Sequence, residues 1–337
     1  MRDEAAPPGT SQPPGTRPWH HTDKGFRNPP GSPARPAGSF WPMAGFLWRR
    51  FRDRRAPVPP PGHVLPEAVA LEGFRALGGA DGVTWLGHVA FLLRLGGLTV
   101  LTDPYLGDWA GPWKGAGARR FVPPGIRAEN LPPIDVLVLS HNHYDHLCVP
   151  TLRALKDRHR LLAVVPLGLG PMLKRLGYAN VVELDWHGSV RHRGLTVTAA
   201  PAIHASSRTG FDFCRTLWCA YVLEAGGRRV WFGGDSGYGP VFGETGAAYG
   251  PFDLAMVGIG AYEPRALMRA VHTDPEEAVR IARDLRARRV LGMHWGTVLL
   301  TEEDPFEPPG RFRAAAAAAG YAPDDAWLLA IGESRAL

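Results

Sequence analysis

The stretch S-H-N-H-Y-D-H-L, Ser140–Leu147, places His141, His143, Asp145 and His146 within six residues. His141 and His143 are two apart, so in an extended segment they project to the same side. Asp145 and His146 follow once the chain turns. Together they form a compact set of N and O donors of the kind a borderline metal such as Zn²⁺ takes. The competing reading is a polar surface loop that happens to be rich in histidine. The run just upstream, I-D-V-L-V-L-S (Ile134–Ser140), has the apolar content of a buried strand. Four potential ligands directly after such a strand favour a metal site.

Three more donors lie downstream, each soon after a strand-like run. They are His204 in A-A-P-A-I-H, Asp235 in W-F-G-G-D-S-G and His294 in L-G-M-H-W-G. Each alone is weak, since a lone His is more often an ordinary polar residue. The pattern H-x-H-x-D-H, joined by these three in this order, resembles the metallo-β-lactamase superfamily. That resemblance implies an α/β fold, an αββα four-layer sandwich with two mixed sheets face to face and the metals at one edge. It also implies two Zn²⁺, one held by His141, His143 and His204, the other by Asp145, His146 and His294, with Asp235 bridging. A hydroxide shared by the two ions would be the nucleophile, because metal binding brings the pKa of water to about 7. Asp103, in L-T-D-P, resembles the family's buried acid behind the metal histidines, where it would fix a ring orientation; a turn-capping Asp before Pro104 is the alternative. His88, in W-L-G-H, matches a position near the site in related families, with its role open.

The fold alone does not name a reaction. Longer stretches narrow it: L-P-P-I-D-V, V-P-L-G-L, E-L-D-W, G-P-F-D-L-A, I-G-A-Y-E-P-R, H-T-D-P-E-E-A-V-R-I, H-W-G-T and the closing G-E-S-R. They resemble the N-acylphosphatidylethanolamine-hydrolysing phospholipase D family, from about Val83 to the C-terminus, with a short G-F-R-N-P at Gly25–Pro29. The resemblance implies a phospholipid substrate at a membrane surface, cleaved at its phosphodiester to phosphatidate and N-acylethanolamine, with Asp235 and Asp145 in the catalytic centre. His272, in A-V-H-T-D-P, matches a family histidine and would contact phosphate or protonate the leaving alkoxide; it also flanks the start of a helix. Tyr144 either lines the substrate groove or packs in the core. Gly107–Arg120 and Ser206–Leu217 depart from the animal enzymes. Relatives include homodimers, and the sequence marks no dimer face. A lactonase or a small-molecule phosphodiesterase of the same fold is the alternative reading.

Composition sets the frame. The 337 residues are 45% hydrophobic with 11 Trp, enough for a sizeable core. Met1–Gly38 is mostly Pro, Gly, Ser, Thr, Arg and Ala without apolar periodicity, so residues 1–39 read as a disordered tail. Residues 40–80 read as an Arg- and aromatic-rich lead-in, and residues 81–337 as the hydrolase domain. Within the lead-in, Phe40–Arg55 has the composition of a membrane-surface anchor or of a packing segment. The net charge of +6 and pI near 9.5 fit an anionic partner. They motivate a nuclease as the reading from a different class, but no nucleic-acid motif is present, so nucleic acid is not expected. Cys148, Cys214 and Cys219 form no CxxC pair, which suits a reducing compartment. Without a visible signal peptide or a spanning run of ~20 apolar residues, the expected location is the cytoplasm, or the inner face of a membrane if the Arg-aromatic stretch docks there.

Alternating or apolar runs predict strands at V-T-W-L, A-F-L-L-R-L, L-T-V-L-T-D, L-L-A-V-V, L-T-V-T-A-A, W-C-A-Y-V-L-E, R-V-W-F-G-G, D-L-A-M-V-G-I, R-V-L-G-M and W-L-L-A-I. Helices are predicted from Val149 and from Asp274, the latter with an Asp cap, Pro in the first turn, acids early and Arg late.

Overall fold

A computed structural model describes residues 17–36, Gly38, Pro42, Gly45, Phe46 and 56–337. It begins with a hairpin of β1 (His21–Thr22) and β2 (Gly25–Phe26). Next comes an antiparallel meander of β3 (Gly82–Gly87), β4 (Ala90–Leu95) and β5 (Leu98–Thr102). A second small hairpin, β6 (Trp109–Ala110) and β7 (Ala118–Arg119), precedes β8 (Val136–Val138). Then follow β9 (Leu162–Pro166), β10 (Asn180–Leu184), β11 (Ser189–His192), β12 (Leu195–Ala200) and β13 (Ala220–Ala225). The remaining strands are β14 (Arg228–Phe232), β15 (Phe252–Gly258), β16 (Ala287–Met293), β17 (Ala326–Trp327) and β18 (Ser334–Ala336).

Two seven-stranded sheets result, one ordered β10-β9-β8-β5-β4-β3-β18 and the other β11-β12-β13-β14-β15-β16-β17. Each is antiparallel in one half and parallel in the other. Side chains alternate across the first sheet as strand geometry requires. Phe91, Leu93, Val100, Val136, Val138 and Val164 face the second sheet. Leu92, Leu101, Leu137, Leu139, Ala163 and Val165 face outward onto Ala70 and Phe74 of α1 (Glu67–Ala76), Leu152 of α2 (Val149–Ala154) and Leu173 of α3 (Gly170–Arg175). Both faces are buried, which is why these strands read as near-continuous apolar runs.

Over the second sheet lie α4 (Val241–Tyr249) and α6 (Pro275–Asp284), with α7 (Pro308–Ala318) packed against α6. The short α5 (Arg265–Met268) sits in the loop that leads to α6. The Asp274 side chain accepts from Glu277 N and caps α6, as the sequence predicts. Helices on both outer faces of two packed sheets give the αββα sandwich.

Three regions differ from the sequence expectations. W-L-L-A-I pairs only over Ala326–Trp327. The chain then crosses to the first sheet, where Ile331 exchanges backbone hydrogen bonds with His63 and Leu65. The edge strands β10 and β11 escape the sequence reading because only one of their residues, Leu184, is buried and their apolar signal is weak. Residues 17–36, counted with the disordered tail, are ordered: His20 stacks on Trp186 with ring centroids 4.3 Å apart, and Phe26 N donates to Cys214 O at 2.8 Å. Composition weighs apolar content and does not see such specific polar and ring pairings. Of the lead-in, Phe46 is buried with Leu267 and Met268, and His63 packs between Trp295 and Phe306. Residues 1–16 and the Arg cluster at 49–55 lie outside the described residues. Among the described residues no helix is long and apolar enough to cross a membrane.

Candidate metal centre

All seven predicted donors come together at one edge of the sandwich, in loops that follow β8, β12, β14 and β16. Asp103, immediately after β5, organises the first of these loops. Its Oδ1 accepts from Ser140 N at 2.6 Å, and its Oδ2 accepts from Ser140 Oγ and from His146 Nδ1, the latter at 2.7 Å. Ser140 Oγ in turn contacts His141 Nδ1 at 2.9 Å. Gly234, one residue before Asp235, is required by close approach: at φ +56 its added Cβ would stand 2.6 Å from Ser140 Cβ.

The donors fall into two groups. His141 Nε2 lies 2.8 Å from His143 Nδ1, and His204 Nε2 lies 3.2 Å from the same nitrogen. In the second group Asp145, His146 and His294 converge, and His88 joins them through Nε2, 2.9 Å from Asp145 Oδ2. Asp235 touches both groups, with Oδ2 3.0 Å from His146 Nε2 and 3.8 Å from His204 Nε2, and Oδ1 3.2 Å from His294 Nε2.

The donor set fits a cation. Three imidazole nitrogens face one another in the first group, an arrangement that protons on those nitrogens would oppose. Asp235 Oδ1 and both nitrogens of His294 are buried without a partner in hydrogen-bond geometry. Buried polar atoms are rarely left so unless a ligand serves them. The nitrogens facing away from the centre are held as metal-binding histidines require: His146 by Asp103, His141 by Ser140, and His204 by Nδ1 donating to Val271 O at 2.8 Å.

Charge is distributed unevenly over the cluster. Burial opposes ionisation of Asp145 and Asp235, but the neighbouring His146 charge holds both carboxyls well below the ordinary range. Burial likewise opposes charge on His146 and His294. The two carboxylates outweigh it, lifting His146 well above its usual value and His294 to about 9. His141 and His204, further from compensating charge, are driven well down by burial.

Two predicted residues acquire definite surroundings. His272 is mostly buried where the two groups meet, with Nδ1 3.8 Å from Asp235 Oδ2 and its ring 5.3 Å from that of His204 and 5.4 Å from that of His294. Tyr144 is a latch: its hydroxyl donates to Arg208 O at 2.8 Å, and the Arg208 guanidinium lies 3.9 Å over its ring. Arg208 then donates to Asn142 O and Leu147 O, fastening the loop after β12 to the loop after β8.

Sequence reasoning missed Asn28 as part of the site. Its Oδ1 accepts from His204 N at 2.9 Å and from Trp218 Nε1 at 3.0 Å, and its Nδ2 donates to His204 O at 2.8 Å. The signal was present in G-F-R-N-P, a motif set apart in a stretch that otherwise reads as tail. Gly25 of that motif lies at φ +150, where a Cβ would meet Cys214 O at 1.9 Å. No larger residue lets the hairpin seat there.

Comparison with known proteins agrees with this geometry. A sequence model of the beta-lactamase superfamily domain matches residues 99–295. An uncharacterised protein of Mycobacterium tuberculosis is 40% identical over 69% of this chain and 63% of its own length. The N-acyl-phosphatidylethanolamine-hydrolyzing phospholipase D 1 of Caenorhabditis elegans is 37% identical over 68% of this chain and 68% of its own. Among solved structures, a metallo hydrolase from Ignicoccus hospitalis superposes with a TM-score of 0.58 at 20% identity, covering 77% of this chain and 98% of that one. The chain thus spans under two thirds of the mycobacterial relative. It belongs to the metallo-β-lactamase superfamily, among the relatives of the N-acylphosphatidylethanolamine-hydrolysing phospholipases D.

Proposed function

We propose that the chain is a metal-dependent hydrolase that cleaves the phosphodiester of N-acylphosphatidylethanolamine-like glycerophospholipids, releasing phosphatidate and an N-acylethanolamine. The observation that carries this reading is the buried seven-donor cluster bridged by Asp235, in a chain 37% identical to the nematode phospholipase D. His141, His143 and His204 would hold one ion, and Asp145, His146 and His294 the other. Zn²⁺ suits so many imidazoles. When bound, such a pair of ions supplies positive charge for a phosphoryl group and lowers the pKa of water.

The chain's own residues supply the rest. Asp235 reaches both groups and offsets repulsion between cations. His88 Nε2 holds Asp145 Oδ2 at 2.9 Å, and His294 Nε2 faces the same oxygen at 3.6 Å. His272, beside Asp235 with its side chain 15% exposed, is placed to contact a phosphoryl oxygen and to pass a proton to the leaving alkoxide.

A lipid surface is supported by the loops around the site. Trp113 is 71% exposed between β6 and β7, and Phe211 and Phe213 are 88% and 62% exposed in the loop after β12. Lys114 and Arg215 are exposed beside them. Exposed aromatics next to cations suit a membrane interface.

The decisive assay offers the zinc-loaded chain N-acylphosphatidylethanolamine in mixed vesicles, phosphatidylcholine, bis-p-nitrophenyl phosphate and a lactone. N-acylethanolamine release from the first is expected. Hydrolysis of the lactone alone would move the chain to the lactonases. Asp235→Asn should lower turnover by ~10²-fold or more while removing metal.

A further inference from the structure

Outside the metal centre, a second set of metal-type donors converges where the N-terminal hairpin meets the turn from β10, the first sheet's edge strand, to β11. His20 Nε2 stands 2.7 Å from Asp185 Oδ1, and His21 Nε2 stands 2.8 Å from Asp185 Oδ2. One ligand atom from each of the three lies within 4.8 Å of the others. These are the separations seen between donors in the catalytic cluster, where His88 Nε2 is 2.9 Å from Asp145 and His146 Nε2 is 3.0 Å from Asp235. Two neighbouring histidines therefore aim both Nε2 atoms at one carboxylate. The backbone fixes that carboxylate, because Oδ1 also accepts from Trp186 N at 2.8 Å. The His20 ring is wedged against Trp186, and its side chain is only 7% exposed. His187 adjoins the group in the left-handed region at φ 68, its Nδ1 2.8 Å from Tyr249 Oη.

We propose that His20, His21 and Asp185 bind a divalent transition-metal ion, separate from the catalytic cluster. Two imidazoles and a carboxylate are a donor set that Zn²⁺ takes, and water can complete four-coordination. The ion's place in the fold gives it a structural task. It would tie the start of the hairpin to the turn after β10. The same hairpin carries Gly25 and Phe26 to Cys214, and Asn28 to both backbone groups of His204. Metal at the clasp thus secures the strap that positions a ligand of the catalytic cluster.

The test counts metal. The full chain, Asp185→Asn and His21→Gln are each loaded with zinc chloride, desalted and measured by mass spectrometry for ions per chain. The unmodified chain should retain about one ion more than either variant. Zinc should also raise its melting temperature more than theirs. The readout is a difference between chains, so it stands whether or not the catalytic cluster holds two ions or acts on lipid. Equal ion content in all three chains would overturn the proposal. Equal content with lower melting temperatures in the variants would identify a hydrogen-bonded clasp only, and would overturn it as well. His21→Gln guards against a folding failure of Asp185→Asn, because the His21 side chain is 21% exposed and its ring is not part of the core.

Discussion

Asn28 grips both backbone groups of His204, accepting from its N–H at 2.9 Å and donating to its C=O at 2.8 Å. The two residues are 176 positions apart, so a segment near the start of the chain sets the position of a predicted metal ligand near its middle.

Asn28→Ala leaves a buried N–H and C=O at His204 without partners, a loss of about 1–3 kcal/mol for each such group. Because the loss falls on the ligand's own backbone, zinc affinity should drop ~10-fold or more, with fold retained. Competition against a chromogenic chelator measures this. Asn28→Asp, which keeps an acceptor for His204 N and loses the donor, should fall between. Equal affinity in all three chains would separate the hairpin from the metal centre.

Asp103 stands behind His146 at φ 28, in a region that Asn tolerates and Ala does not. Asp103→Asn therefore tests the carboxylate without adding backbone strain. It preserves an acceptor for Ser140 N but removes the charge that holds the His146 ring by Nδ1. Zinc affinity or turnover should fall by ~10–100-fold, as for other partners of metal-binding histidines. An unaltered titration would leave Asp103 as a turn cap before Pro104, the alternative its sequence context offers.

The raised His294 value gives a pH signature. A histidine whose folded pKa is above its unfolded value stabilises the protein fully below about 6.5 and loses that contribution as pH rises through about 9. The metal-free chain should therefore melt at lower temperature as pH climbs from 7 to 9.5. Metal requires neutral His294, so zinc binding at pH 7.5 should release protons, seen as dependence of the binding heat on the ionisation enthalpy of the buffer. A binding heat that is the same in every buffer would contradict the protonated state of this histidine.

Much of the sandwich was legible because its strands are buried on both faces. Ile134–Ser140 and the meander from Gly82 announce themselves by apolar content, and Asp274–Pro275 by helix-start chemistry. The convergence of the seven candidate donors was legible as a pattern, since coordination would constrain their residue types and order. What escaped was pairing across long distances. Asn28 with His204, His20 and His21 with Asp185, and Tyr144 with Arg208 carry no local periodicity. An edge strand such as Ser189–His192, half open to solvent, has too little apolar contrast to stand out.

The aromatic loops bear on how substrate is reached. Trp113 lies in the excursion after β5, whose Gly107 packs against Cys148 just past the donor loop. Phe211 and Phe213 lie between His204 and β13, in the loop that Arg208 fastens to Asn142 and Leu147. Both excursions therefore flank the donors, and a bilayer meeting these rings would face the metal edge. Inserting an exposed Phe or Trp into an apolar phase yields up to about 1.5–3 kcal/mol per side chain. Each nearby Lys or Arg adds about 1 kcal/mol on an anionic surface. The triple change Trp113→Ser, Phe211→Ser and Phe213→Ser should therefore lower partitioning onto vesicles containing phosphatidylglycerol by ~10²-fold or more. Hydrolysis of bis-p-nitrophenyl phosphate, which needs no interface, should stay near that of the unmodified chain. Cosedimentation and the soluble assay read the two arms separately, and loss in both would point to a disturbed site. Unchanged partitioning would place the lipid contact elsewhere, with deletion of residues 1–55 as the next test.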